Sequence, residues 1–349
     1  MRKKMFLIVA ALLSFVALDT AAQCAGCSCK GGKSEPVNII LDADFGSSTD
    51  DLFALMMLNH YIDDGLVDLK GVVVDREGED NAGVVDILNT YYGHPDIPVG
   101  LERNGVKHPR CYIPYNTICQ MKDAQGNPRF KRSFDSKQCL DGYKLYRKLL
   151  SKAEDNSIVV VAIGFATSLA QLFESKADEY SQLNGVDLFA QKVRAVYIQS
   201  GRFEANDNKS GYNMRAASHH AAVFYDNLPA KVDIVMSPSN VGDMMHYLPE
   251  DVLADLKGFD DNPIKVVHEN YKIDPGQRMW DTNCLVQAVF GDACYNLSPR
   301  GKATFVDKGE ESLLLFEPDP NGNARYQLPD DGFNAMQKLM DIRRLNRMK

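Results

Sequence analysis

Residues 37–62 read VNIILDADFGSSTDDLFALMMLNHYI. The apolar run VNIIL (37–41) passes directly into an acidic loop, and DLFALMMLNHYI (51–62) leaves that loop with helical periodicity, Leu52, Leu55, Met56 and Leu58 falling near one face. A buried strand feeding a helix through a short loop is the opening of a crossover unit. The same alternation continues along the chain: LKGVVV (69–74) reads as a strand and DNAGVVDILNTYY (80–92) as a helix. SIVVVAIG (157–164), VRAVYIQSG (193–201) and KVDIVMSP (231–238) read as further strands, while FATSLAQLFESK (165–176), a stretch around 214–227 and DTNCLVQAVF (281–290) read as helices. KATFVDK and ESLLLFEP add two strands before a terminal helix at 330–347. This order predicts an α/β fold, an open and mostly parallel sheet with crossover helices, in one large domain spanning 36–349. Ligand sites in such sheets lie outside the C-terminal ends of the strands, where the acidic loop falls. Residues 101–140 hold Pro109, Pro114, Pro128 and three cysteines with little periodicity, and read as a long insertion or an excursion that covers the pocket.

The N-terminus has the order of an export signal: Arg-Lys-Lys at 2–4, the apolar stretch MFLIVAALLSFVAL at 5–18, then Thr20, Ala21 and Ala22. The apolar run is shorter than the roughly 20 residues a membrane-spanning helix needs, so cleavage after Ala22 is expected, followed by a linker over 23–35. The destination is then the periplasm or the exterior, with Cys24 as a position for a lipid anchor. Removing Arg2, Lys3, Lys4 and Asp19 with the signal takes the net charge from −8 to about −10. No basic stripe offsets that balance, which excludes a nucleic-acid backbone as partner. Export also permits disulfides, and Cys111–Cys119 and Cys284–Cys294 are the first candidates on proximity in sequence. The cluster CAGCSCKGGK lacks a fourth ligand at metal-site spacing and reads as linker.

Four aspartates, Asp42, Asp44, Asp50 and Asp51, fall within ten residues after the first strand. Like charges crowded at a strand end need a counter-charge. Asp50 and Asp51 could serve the following helix as N-terminal carboxylates. Asp42 and Asp44 could not: they alternate along a strand and point to the same face. A hard divalent cation would satisfy the set, and Gly46 suits the turn that brings Asp44 and Asp51 onto one ion. The residues alone leave open whether the chemistry is phosphoryl transfer or another hydrolysis.

The loop resembles the N-terminal signature of the inosine/uridine-preferring nucleoside hydrolase family, Asp-x-Asp-x-Gly followed by Asp-Asp and an apolar helix. Its gap between Gly46 and Asp50 is that of the longer bacterial variant, with Ser48 where that variant often has Asp. Three further segments are similar in order, so the resemblance spans nearly all of the chain after the signal. AIGFATSLA (162–170) matches the strand end whose backbone carbonyl binds the metal, with Ile163 in place of Thr. GYNMRAAS (211–218) matches the segment whose Asn bonds the ribose, here Asn213, with Gly211 where the family commonly has Glu; Asn206 stands nearby as a second polar group. GQRMWDTNCLVQAVF (276–290) carries the late metal-binding acid, Asp281, and places Trp280 where better-known members have His.

The resemblance implies Ca²⁺-dependent hydrolysis of the N-glycosidic bond of ribonucleosides, giving ribose and free base. In that reading Asp44, Asp51, the Ile163 carbonyl and Asp281 hold one Ca²⁺, and Asp44 takes a proton from the attacking water. Asp50 and Asn213 grip ribose hydroxyls, Asn206 assists, Trp280 lines the pocket and Asp42 supports the loop. An indole can stack on a base but cannot protonate it, because its N–H does not titrate. A small-molecule nucleoside or ribosyl compound is the implied partner, and a dimer or tetramer the implied assembly. Changes at Ser48, Gly211 and Trp280 keep two alternatives open: hydrolysis of a related non-nucleoside glycoside, and an inactive, metal-stabilised sugar-binding protein.

Overall fold

The computed structural model describes residues 35–46, 48–106, 114–204, 207–329 and 332–348. The expected export segment, nearly all of the expected linker, Cys111 and Asn206 lie outside them. Twelve strands form one sheet among the described residues: β1 (Val37–Ala43), β2 (Val67–Arg76), β3 (Val99–Val106), β4 (Leu140–Asp141), β5 (Ile158–Ala162), β6 (Val193–Gln199), β7 (Arg202–Glu204), β8 (Asp207–Lys209), β9 (Asp233–Ser237), β10 (Gly301–Val306), β11 (Leu313–Pro318) and β12 (Ala324–Tyr326). Their order is β4-β3-β2-β1-β5-β6-β9-β12-β10-β11-β8-β7. Pairing is parallel from β4 to β12 and antiparallel from β12 to β7. The open, mostly parallel α/β sheet expected from the alternating pattern is therefore what forms.

The near-continuous apolar runs of β1 and β5 follow from burial on both faces. Along β1, Ile39, Leu41 and Ala43 enter one hydrophobic layer, which contains the helices Asp50–Asp63, Glu79–Tyr92 and Thr282–Phe290, while Ile40 enters the other. That second layer packs against the helices Gly142–Lys152, Thr167–Glu174 and Ser218–Asn227. A period of two thus sends Asp42 to the Ile40 side and leaves Asp44, just past the strand end, in the crevice between β2 and β5. The single helix expected around 214–227 is broken into Tyr212–Ala216 and Ser218–Asn227, because Ala217 leaves helical geometry at φ −125°, ψ 46°.

Residues 114–140 wrap the helix Glu79–Tyr92. The buried Asp86 accepts from Arg132 Nε at 2.7 Å and from the Ser133 N–H and Oγ at 3.0 and 2.7 Å. Cys119 and Cys284 are free thiols, so neither of the expected bridges forms. Cys119 instead donates to the Asp80 carbonyl at 3.3 Å, and Cys284 is buried inside its helix, which pushes its thiol up to about 12. No helix among the described residues is long and apolar enough to cross a membrane.

Candidate functional site

The acidic loop runs from the end of β1 to the helix Asp50–Asp63, and a second buried acid meets it from β2. Asp42 accepts from the Tyr146 hydroxyl at 2.7 Å, and burial raises its carboxyl to about 6. Asp75, near the end of β2, adjoins it. Burial, then the charge of Asp42, holds the Asp75 carboxyl well above the usual range, so the two behave as one carboxylate and one acid. Gly164 follows from this crowding, since a Cβ there would collide with the Asp44 N–H and the Asp75 carboxyl. Asp44 meets the buried guanidinium of Arg76 at 3.3 Å, and Arg76 in turn lies over the Phe165 ring. Burial still pushes the Asp44 carboxyl up to about 7.

Neither Asp50 nor Asp51 is needed as a helix cap. Thr49 at the N-cap position makes no side-chain capping bond. With its amide turned to satisfy both neighbours, Gln277 accepts from the Thr49 and Asp50 N–H groups at 2.5 and 3.2 Å. Asp50 accepts from the Ser48 hydroxyl and, at 3.4 Å, from the Asp281 N–H, so the loop at 274–281 is tied to the first one at two points. Asp51 is fully buried, and neither of its oxygens has a hydrogen-bond partner. Burial raises Asp51 and Asp281 well above the usual carboxylate range, and their acidic neighbours push in the same direction.

Carboxylate oxygens of Asp50, Asp51 and Asp281 lie within 4.8 Å of one another. Three buried acids this close, one with both oxygens orphaned, are unstable as anions without a cation. An all-oxygen donor set fits a hard divalent ion such as Ca²⁺. The trio differs from the set implied by the resemblance, because Asp50 joins Asp51 and Asp281 while Asp44 stands beside them on Arg76. The Ile163 carbonyl accepts from Asn213 Nδ2 at 2.7 Å, so two residues implied to face metal and sugar are bonded to each other. Asn213 also donates to Gln199 at 3.2 Å.

A cavity of about 930 Å³ opens above this floor, lined by Asp44, Asp50 and Asp281 below and by Gln199, Asn213 and Trp280 at its sides. Trp280 thus lines the pocket, its indole N–H donating to Asp243 at 2.9 Å and its ring packed where any side chain on residue 242 would fall. Gly211 also lines it at φ +84°, with Gly201 N where a Cβ would point. The backbone there favours glycine over the Glu that the sequence resemblance implies at this position. None of the described residues of 101–140 lines the cavity. Tyr115 of that stretch supports the loop instead, accepting from the Gly46 N–H at 2.6 Å where Gly46 turns at φ +102°. Asp75, Arg76, Tyr115 and Gln277 were not singled out from sequence; an Asp-Arg pair closing a buried Val-rich strand was the one local signal available.

No protein-family profile and no curated protein sequence matches the chain. Solved structures do. A plant nucleoside hydrolase superimposes with a TM-score of 0.64 at 15% identity, covering 88% of this chain and 99% of that one. A purine-preferring ribonucleoside hydrolase from Gardnerella vaginalis gives 0.64 at 13% identity, covering 89% and 100%. An inosine-uridine preferring nucleoside hydrolase from Bacillus anthracis gives 0.60 at 13% identity, covering 88% and 99%. The chain has the fold of these proteins over nearly its whole described length.

Proposed function

We propose that the protein hydrolyses the N-glycosidic bond of ribonucleosides, with a divalent cation, Ca²⁺, at the floor of the cavity. The observation that carries this reading is Asp51: a buried carboxylate without a partner, beside Asp50 and Asp281, at the strand ends of a fold shared with nucleoside hydrolases. Asp50, Asp51 and Asp281 would hold the ion, and Asp44 and the Ile163 carbonyl are the further oxygens the sequence resemblance assigns to it. When bound, the cation supplies positive charge that acidifies water and orients sugar hydroxyls.

The chain's own residues supply the rest. Asp44, which Arg76 holds at 3.3 Å, would accept a proton from the attacking water. Positive charge develops on the sugar as the bond to the base breaks, and the acidic floor stabilises it. Asn213 lines the cavity with its amide nitrogen bonded to Ile163 and Gln199, and would meet the sugar from there. Trp280, anchored by Asp243, offers its ring face for stacking. The leaving base then needs a proton from elsewhere, or must depart without one.

A second reading, hydrolysis of a related ribosyl compound, is favoured by Gly211, whose backbone removes the Glu common in the family. The charged and apolar regions at residues 2–18 support action outside the cytoplasm. The test is ribose release from a panel of purine and pyrimidine nucleosides, with Ca²⁺ and after chelation. Release that requires Ca²⁺ is expected. Release from no nucleoside, with Ca²⁺ bound, would leave a sugar-binding protein or a different glycoside as the answer.

A further inference from the structure

The cavity is polarised. Its floor is acidic, but its wall carries Arg202, Lys209, Arg215 and Lys272 against only Asp243 and Asp274. Arg202 and Lys209 are register partners on β7 and β8, which brings two cations to one edge of the cavity. Asp243 meets Arg202 at 2.9 Å. Arg215, on the helix Tyr212–Ala216, has only the largely exposed Glu310 at 3.8 Å, beyond hydrogen-bond reach. Lys272 is exposed at the start of the loop that carries Asp274, and one Asp274 oxygen is already taken by the Gly276 N–H at 2.7 Å. At about 930 Å³ the cavity lies near the top of the ~300–1,000 Å³ range of small-molecule pockets, with room beyond a sugar on the floor.

We propose that this wall receives an anionic group, a phosphate ester or a carboxylate, on the ribosyl compound whose sugar sits at the floor, with Arg215 and Lys272 as the residues that bind it. Guanidinium and ammonium groups make charge-assisted bonds to both kinds of anion. A cavity built for neutral nucleosides alone gains nothing from cations opposite its acidic floor, because they must be desolvated when the ligand enters. The sugar's position rests on the ribosyl-hydrolase reading; the anion's position rests on the wall.

The experiment uses probes that cannot be cleaved, so it does not depend on turnover. Binding of ribose, ribose 5-phosphate, uracil and orotate to the Ca²⁺-loaded protein is measured by calorimetry or competition. At least one anionic member should bind about tenfold tighter than its neutral counterpart, equivalent to about 1.4 kcal/mol. The pair that shows the gain tells whether the anion is a phosphate on the sugar or a carboxylate on the base. In the Arg215→Gln/Lys272→Gln protein the advantage should fall below about threefold. In the unaltered protein it should shrink as salt rises from about 50 to about 500 mM, whatever the folding of the variant. Equal binding within both pairs, an advantage retained in the double variant, or one insensitive to salt overturns the proposal. An anion preference without nucleoside turnover would remove the hydrolase reading and keep the wall; Ca²⁺-dependent turnover without the preference would do the reverse.

Discussion

Two buried aspartates, Asp86 and Asp51, show what separates an acid that holds the fold together from one that is held for use. Both are almost wholly buried on adjacent helices of the same layer. Asp86 accepts from Arg132, from both donors of Ser133 and, at 3.3 Å, from Thr90, so its charge is matched within the chain. Asp51 accepts from nothing and has Asp44 and Asp50 as neighbours, which raise its carboxyl further. A buried carboxylate left in this state costs the fold stability, and in the proposed reading a bound cation offsets that cost.

The largest effect that sharpens this contrast is on turnover. Asp44→Asn should lower ribose release by about 10³-fold, the scale of a lost general base, with circular dichroism unchanged. Residual activity within tenfold of the parent would remove Asp44 from that role.

Stability should then change in opposite directions at the two acids. Asp86→Ala should destabilise by about 2 kcal/mol, less than a fully buried pair loses because Arg132 is partly exposed. In chelated protein, Asp51→Asn should stabilise by about 1 kcal/mol, since the cost of burying an acid with no hydrogen-bond partner is removed. Denaturant unfolding of both variants checks this, and a loss at Asp51 as large as that at Asp86 would erase the distinction.

pH acts on the ion-free protein in the same sense. Asp42 and Asp44 are raised from an ordinary 3.8 to about 6 and about 7 by burial. The fold therefore binds these protons more tightly than the unfolded chain does. Their contribution is fully present below about pH 4 and is lost as pH rises through about 6 and about 7. The Tm of chelated protein should fall by a few degrees from about pH 5 to about pH 8, and added Ca²⁺ should suppress much of the fall. The smallest effect is at the cavity wall. Trp280→Phe keeps a ring but loses the bond to Asp243, so KM should rise by about two- to fivefold with Tm nearly unchanged.

Much of this architecture was legible in the chain because its signals are contiguous. VNIIL and SIVVVAIG could be buried strands only in a sheet covered on both faces, and the four acids of the loop stand within ten residues. What surrounds them was not legible, because it is assembled across long separations. Arg76 reaches Asp44 from the next strand, Tyr115 reaches Gly46 from the stretch expected over the pocket, and Gln277 reaches Thr49, the N-cap residue 228 positions earlier. Asn213 matched a sugar-binding position, yet its amide nitrogen is directed to Ile163 and Gln199, a choice made by packing and not by motif. The hairpin of β7 and β8, which carries two of the wall's cations, has too few residues in each strand to show a period.

The most direct test of the central claim, that Asp51 and its neighbours are held for a cation, is a Ca²⁺ titration of the purified protein and of Asp51→Asn by calorimetry. One Ca²⁺ per chain is expected in the parent protein, with affinity weakened by about 100-fold or more in the variant. No heat of binding in the parent protein, or equal affinity in the two, would contradict the account.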